Sequence, residues 1–147
     1  MAFTQNFTDT FRYVLQTRDR TTVSLGEELE FIRSYLELHQ ERLGEGLRVE
    51  INVDPELKTR RIPPLSLQLL VENAIKHNVV STERPLYLKI LATGESIRVE
   101  NNIQIRESSY STEKGLANLV ARYEFLTERK VTVDNTGIVF SVELPLL

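Results

Sequence analysis

Asn73, Lys76 and His77 stand at positions i, i+3 and i+4 of the segment Val71-Glu72-Asn73-Ala74-Ile75-Lys76-His77-Asn78. On a helix that spacing places three side chains in one stripe. An amide oxygen, an ammonium and an imidazole together suit a phosphate chain with its metal. Asn73 can offer Mg²⁺ a neutral oxygen, and the cations can meet anionic oxygens. Taken alone, the stripe reads first as the solvated face of an amphipathic helix, and His77 as a residue capping its C-terminus. The chain has two histidines, at positions 39 and 77, and no cysteine, so an imidazole or thiolate zinc site is not expected.

The stripe needs a helix, and the helix needs a floor. Leu67, Leu70, Val71 and Ala74 share the same three-and-four spacing and are expected to lie on a sheet. Ile62-Pro63-Pro64 suits a helix start, so this helix is predicted over about Pro64 to Asn78. Upstream, Phe7, Phe11, Val14 and Leu15 predict a helix from about Gln5 to Gln16. Phe3 extends the same spacing almost to residue 1, as if a longer helix had been cut. Ser24 with Glu27 forms a capping-box pattern ahead of a helix over Leu25 to Leu43, which Gly44 and Gly46 end. Leu47, Val49, Ile51 and Val53 alternate with polar residues as a half-buried strand does.

Leu86 to Ala92 and Ser96 to Asn101 flank the Thr93-Gly94 turn as two further strands. Residues 102–114 are polar and predict a loop. A helix over Gly115 to Leu126 follows, then a hairpin of Val131 to Val133 and Ile138 to Leu144 around Asp134-Asn135-Thr136-Gly137. This order predicts an α+β two-layer sandwich: a mostly antiparallel mixed β-sheet with helices on one face, preceded by N-terminal helices.

At 147 residues, with 41% hydrophobic and 27% charged residues, the chain suits one folded domain. A net charge of −3 with scattered Lys and Arg gives no footprint for nucleic acid. The lack of cysteine excludes disulfides and suits a cytosolic setting. No apolar run approaches the roughly 20 residues of a membrane span, and no signal peptide opens the chain.

The run from Ile62-Pro63-Pro64 to Val71-Glu72-Asn73-Ala74-Ile75-Lys76-His77-Asn78 resembles the N box of LytS-like sensor histidine kinases. The stretches Phe11-Arg12-Tyr13-Val14-Leu15, Val23 to Leu29, Tyr35-Leu36-Glu37-Leu38 and Glu41-Arg42-Leu43 resemble the same family's region between phosphoacceptor and ATP domain. Gly115-Leu116-Ala117-Asn118-Leu119 with Arg122-Tyr123 is similar to its second glycine box, and Phe140 to Pro145 to its last strand.

The resemblance implies the Bergerat ATP-binding fold shared with gyrase and MutL, with ATP and Mg²⁺ as ligands and phosphoryl transfer to a histidine as the reaction. It implies that Asn73 holds the metal, that Lys76 and His77 face the phosphates, and that Glu72 polarises the attacking group or orients a metal-bound water. Gly115 and Leu116 would belong to the nucleotide site. The implied organisation is a helical segment over 1–43, from the dimerisation and phosphoacceptor region, and an ATP-binding catalytic domain over 44–147. Implied partners are a response regulator of the LytTR type and a second copy in the full kinase. The implied place is the cytoplasmic side of a bacterial inner membrane, anchored through segments ahead of this one.

Three positions depart from the pattern. The His-Phe-x-Phe-Asn-type phosphoacceptor motif is absent, so the chain is expected to be a fragment that does not phosphorylate itself. Asn101 stands where an aspartate would accept a hydrogen bond from adenine, and its amide can still pair with that base. Of the glycines in the lid before Leu116, only Gly115 remains, with residues 102–114 as the expected mobile lid. The lost glycines and aspartate leave an alternative open: a degenerate ATPase-like module that transmits a signal or docks a response regulator without catalysis.

Overall fold

Val23–Ser24 forms a short strand, β1, whose serine caps the first long helix, α1 (Leu25–Leu43). The computed structural model to which these elements belong describes residues 12–13, 20–106 and 113–147. Ser24 Oγ accepts from the Glu27 amide at 3.1 Å, as the capping pattern predicts. The reciprocal half does not form, because the Glu27 carboxylate turns to Arg20 at 3.0 Å. Gly44, at φ 56°, stops α1 with a backbone conformation that a side chain would resist. The helix expected from Gln5 lies outside the described residues apart from Arg12 and Tyr13, which are helical.

The clean alternation after Gly46 gives β2 (Leu47–Val53). A two-residue strand, β3 (Arg61–Ile62), pairs antiparallel with β1. Helix α2 (Ser66–His77) starts later than predicted, since Leu65 takes a left-handed φ of 65° and delays the helix past the prolines. Strands β4 (Leu86–Thr93) and β5 (Ser96–Asn102) form a hairpin, α3 spans Glu113–Leu126, and β6 (Thr132–Asn135) and β7 (Val139–Pro145) form the last hairpin.

The main sheet has the order β2-β4-β5-β7-β6. Only β2–β4 is parallel, in register from Leu47↔Leu86 to Val53↔Ala92. The other three pairs are antiparallel. The fold is therefore the mixed, mostly antiparallel α+β sandwich that the sequence predicts. Alternate residues of β4 (Leu86, Leu88, Ile90, Ala92) and β5 (Ile97, Val99) are buried with Leu67, Leu70, Val71 and Ala74 of α2. Leu25, Leu29, Ile32 and Leu36 of α1 and Leu119 and Tyr123 of α3 join the same core. Each fully buried side chain of this kind contributes about 1.5–3 kcal/mol, so the sheet holds α2 in place chiefly by apolar burial.

Candidate functional site

Helix α2 begins without a cap of its own. Leu65 provides no side-chain acceptor, and Ser66 Oγ donates backwards to the Pro63 carbonyl at 2.6 Å. The first-turn amides of a helix are orphan donors and need a partner. Glu28 of α1 supplies it: one carboxylate oxygen accepts from the Leu67 amide at 3.2 Å, and the other accepts from the Tyr13 hydroxyl. Burial raises the Glu28 carboxyl above its usual range, against the downward pull of the Tyr13 hydroxyl and the amides of Leu67, Leu65 and Ser66.

The C-terminal end of α2 is fastened differently. Asn78 is buried; its Nδ2 donates to the Ala74 carbonyl at 2.9 Å and its Oδ1 accepts from the Gln104 amide at 2.7 Å. The Val79 amide donates to the Gln104 carbonyl at 2.7 Å, and the Arg106 amide to the His77 carbonyl at 2.9 Å. Residues 103–106, expected to be the start of a loop, are thus stitched to the end of α2. Asn102 belongs to this scaffold, since its Oδ1 accepts from the Tyr87 amide at 2.7 Å.

Between α2 and the β5–β7–β6 side of the sheet lies a cavity of about 490 Å³. Its walls are largely apolar, with Leu70, Val99, Phe140 and Val142 among them, while Asn73 and His77 enter from α2 and Asn101 from β5. An apolar cleft carrying a few convergent polar groups is the usual form of a small-molecule site. Buried Asn101 donates through Nδ2 to the Asn102 carbonyl at 2.8 Å, so the amide oxygen remains as its acceptor. Leu116 of α3 closes one side.

The cavity therefore brings together Asn73, His77, Asn101 and Leu116 of the residues singled out from sequence. Lys76 is exposed on α2 and does not line it. Gly115 does not line it either; an added Cβ there would meet Leu69 Cδ1 at 3.1 Å, so the glycine lets α3 approach α2. Glu72 also lies outside. It is exposed, accepts a hydrogen bond from Gln68, and its charge acts on Tyr35 and His39 of α1. Burial first, and then the Glu72 charge, push the Tyr35 hydroxyl up to about 12.

His77 is pulled the other way. Burial, then the neighbouring Lys76 charge, lowers its pKa below 6.5. Its imidazole is thus neutral near pH 7 and serves as a hydrogen-bonding group more than as a cation. Because the folded chain gives up this proton more readily than the unfolded one, the contribution of His77 to stability is complete above pH 6.5 and is lost as pH falls through and below it. An NMR titration of the ring should give a midpoint under 6.5; a midpoint at or above that value would contradict the assignment.

Among the described residues no group of three or more His, Cys, Asp or Glu side chains could cage a metal. Asn73, which lines the cavity, is an oxygen donor of the kind that would suit Mg²⁺.

A family model described as histidine kinase matches residues 1–47. The Sensor protein LytS of Enterococcus faecalis is 29% identical over 146 residues, which cover 90% of this chain and 24% of that protein. The sensor histidine kinase/phosphatase LytS of Staphylococcus aureus is 31% identical over 157 residues, 92% of this chain and 27% of its own length. The chain is similar to LytS sensor histidine kinases over about nine-tenths of its own length. It spans about a quarter of the length of these curated relatives. In fold it resembles the catalytic domain of histidine kinase ThkA, with a TM-score of 0.56 at 20% identity over 84% of this chain and 93% of that one. The cytoplasmic segment of histidine kinase QseC gives a TM-score of 0.59 at 15% identity, over 86% of this chain and 76% of that segment. The cavity beside α2 is the candidate functional site.

Glu28, Asn78 and Gln104 escaped the sequence reading of the site. Glu28 left a signal: it sits three residues after Leu25 and four before Ile32, a carboxylate on an apolar face. Asn78 and Gln104 left none, since nothing in their local sequence connects them.

Proposed function

We propose that this chain is the ATP-binding catalytic portion of a sensor histidine kinase. In this reading ATP sits with its base in the apolar cavity and its phosphates toward α2, and the γ-phosphoryl group passes to a histidine nitrogen as ADP leaves. The observation that carries it is the convergence of Asn73 and His77 from α2 with Asn101 from β5 on one apolar cavity. Asn101 Oδ1 would accept from the adenine amino group. His77 would hydrogen-bond to phosphate, and exposed Lys76 would meet phosphate oxygens beyond the cavity mouth. Asn73 would ligate Mg²⁺, which when bound neutralises charge on the phosphate oxygens. Glu72 faces α1, so its part is better placed in holding helices together than in polarising a nucleophile. Gly115 and Leu116 would border the nucleotide at the start of α3.

The acceptor histidine would lie outside this segment. His39 does not suit that part: it packs on Tyr35, ring centroids 4.6 Å apart, with Nδ1 3.1 Å from Arg42. The division into 1–43 and 44–147 is kept as a functional one, although α1 shares the core of the rest. Among the described residues no helix is long and apolar enough to cross a membrane. The full kinase would hold this portion on the cytoplasmic side of the membrane, act as a homodimer, and pass phosphate to a LytTR-type response regulator.

Calorimetric titration with a non-hydrolysable ATP analogue and Mg²⁺ tests the reading. Saturable heat is expected with both, and none with Mg²⁺ alone. Absence of heat at millimolar nucleotide would sink it. The alternative, a module that docks or signals without catalysis, is favoured by Asn101 in place of a carboxylate. Its signature would be nucleotide binding without phosphohistidine in a chain that includes the acceptor.

A further inference from the structure

Glu28 is the one charged residue that is buried among those described, at 0% exposure. A carboxylate removed from water needs compensation, and among the described residues no cation provides it. Its partners are the Tyr13 hydroxyl on one oxygen and the start of α2 on the other. A leucine or methionine of similar volume would fill the space but leave the Leu67 amide and the Tyr13 hydroxyl without their acceptor, which lowers stability. What an apolar side chain lacks is direction. Hydrogen bonds to helix amides fix where α2 stands along its axis and how it is rotated, whereas apolar contacts tolerate sliding.

Asn73 and His77 lie on the same helix, about 9 and 15 Å beyond Leu67 at the standard rise of roughly 1.5 Å per residue. A small displacement at the first turn therefore moves both. Tyr13 sits in the segment ahead of α1, its ring stacked on Phe31 with centroids 4.4 Å apart and planes 17° from parallel. Its hydroxyl touches the same carboxylate that holds α2.

We infer that Glu28 is a positioning residue for the candidate nucleotide site, holding α2 by its first turn, and that Tyr13 makes this hold depend on the segment upstream. The path is short and physical: hydroxyl, carboxylate, amide, then one rigid helix. The effect on nucleotide affinity rests on the kinase reading above; the mechanical link between Tyr13 and α2 does not.

Two measurements on the whole chain test it. In the first, Glu28→Met, Glu28→Gln, Tyr13→Phe and the Glu28→Met/Tyr13→Phe pair are titrated with Mg²⁺ and ATP analogue, below their unfolding midpoints. Glu28→Met should lose about tenfold in affinity, the size of one charge-assisted hydrogen bond, whatever its stability. Glu28→Gln keeps an acceptor for the Leu67 amide and should stay within about threefold of wild type, while Tyr13→Phe should lose about threefold. The pair should be no weaker than Glu28→Met alone, because both act through one carboxylate. Wild-type affinity in a folded Glu28→Met variant would overturn the proposal. The second measurement needs no nucleotide: backbone amide NMR of Tyr13→Phe, which keeps the ring on Phe31. Shifts that run from Leu65 to Leu67 on into Asn73 to His77 support the link, and shifts confined to Leu65 to Leu67 overturn it. It decides the matter if Glu28→Met does not fold. If wild type binds no nucleotide, the kinase reading fails and this arm still stands by itself.

Discussion

Asn73→Ala should lower the affinity for Mg²⁺ and ATP analogue by about a hundredfold, with the fold intact. Asn73 is half-buried at the cavity, between the buried Leu70 and Ala74 side of α2 and the exposed Lys76. On the proposed reading Asn73 would be a direct metal ligand, and among the described residues no group of three or more His, Cys, Asp or Glu side chains could replace it. Even the outer partners of metal ligands are worth roughly 10–100-fold, and a ligand itself should lie at or beyond the upper figure. Alanine favours the helix, so stability should change by less than about 1 kcal/mol. Calorimetry and a urea melt on the same sample separate the two. Unchanged affinity in the variant would remove the metal from Asn73.

Asn78→Ala should have the largest effect on stability of any polar change near the site, about 2–4 kcal/mol by urea unfolding. The substitution deletes a donor to the Ala74 carbonyl, at a buried position, and an acceptor for the half-buried Gln104 amide. The buried Ala74 carbonyl left without this donor costs about 1–3 kcal/mol, and the half-buried Gln104 amide, which can regain water, adds about 1 kcal/mol. Nucleotide affinity should also fall, because residues 103–106 carry two cavity-lining side chains, Ile103 and Ile105. Asn78→Asp keeps the acceptor for Gln104 but loses the donor, and should fall between wild type and alanine. A loss under about 1 kcal/mol for Asn78→Ala would mean that water replaces both bonds.

The long elements were legible because periodicity accumulates with length. Helix α1 and strand β2 have the bounds that their apolar spacing predicts. The β1–β3 pair was not legible, since two residues carry no period and their pairing joins positions 23–24 to 61–62. The same distinction governs the site. Spacing put Asn73, Lys76 and His77 on one helix face, but it could not say where the cavity lies around that helix. The sheet decides, and it takes Asn73 and His77 while leaving Lys76 outside. Glu72 is rotated toward Tyr35 and His39 for the same reason. Glu28 leaves only a faint trace in the sequence, as a carboxylate beside Glu27 in the first turn that falls on the apolar side of α1.

The single parallel pair, β2–β4, bears on how the chain reaches this fold. Both hairpins, β4–β5 and β6–β7, close over short turns, whereas joining Leu47 to Leu86 must wait for the long crossover between them. That crossover contains α2. Local pairings form ahead of distant ones, because a long loop loses more entropy on closing before any contact rewards it. By that rule β2 should join the sheet edge after the hairpins have closed, and pulsed amide exchange during refolding should protect β4 and β5 ahead of β2. The cavity wall draws on α2, α3, β5, β6 and β7 but on no residue of β2, so the edge strand supports the site only through β4.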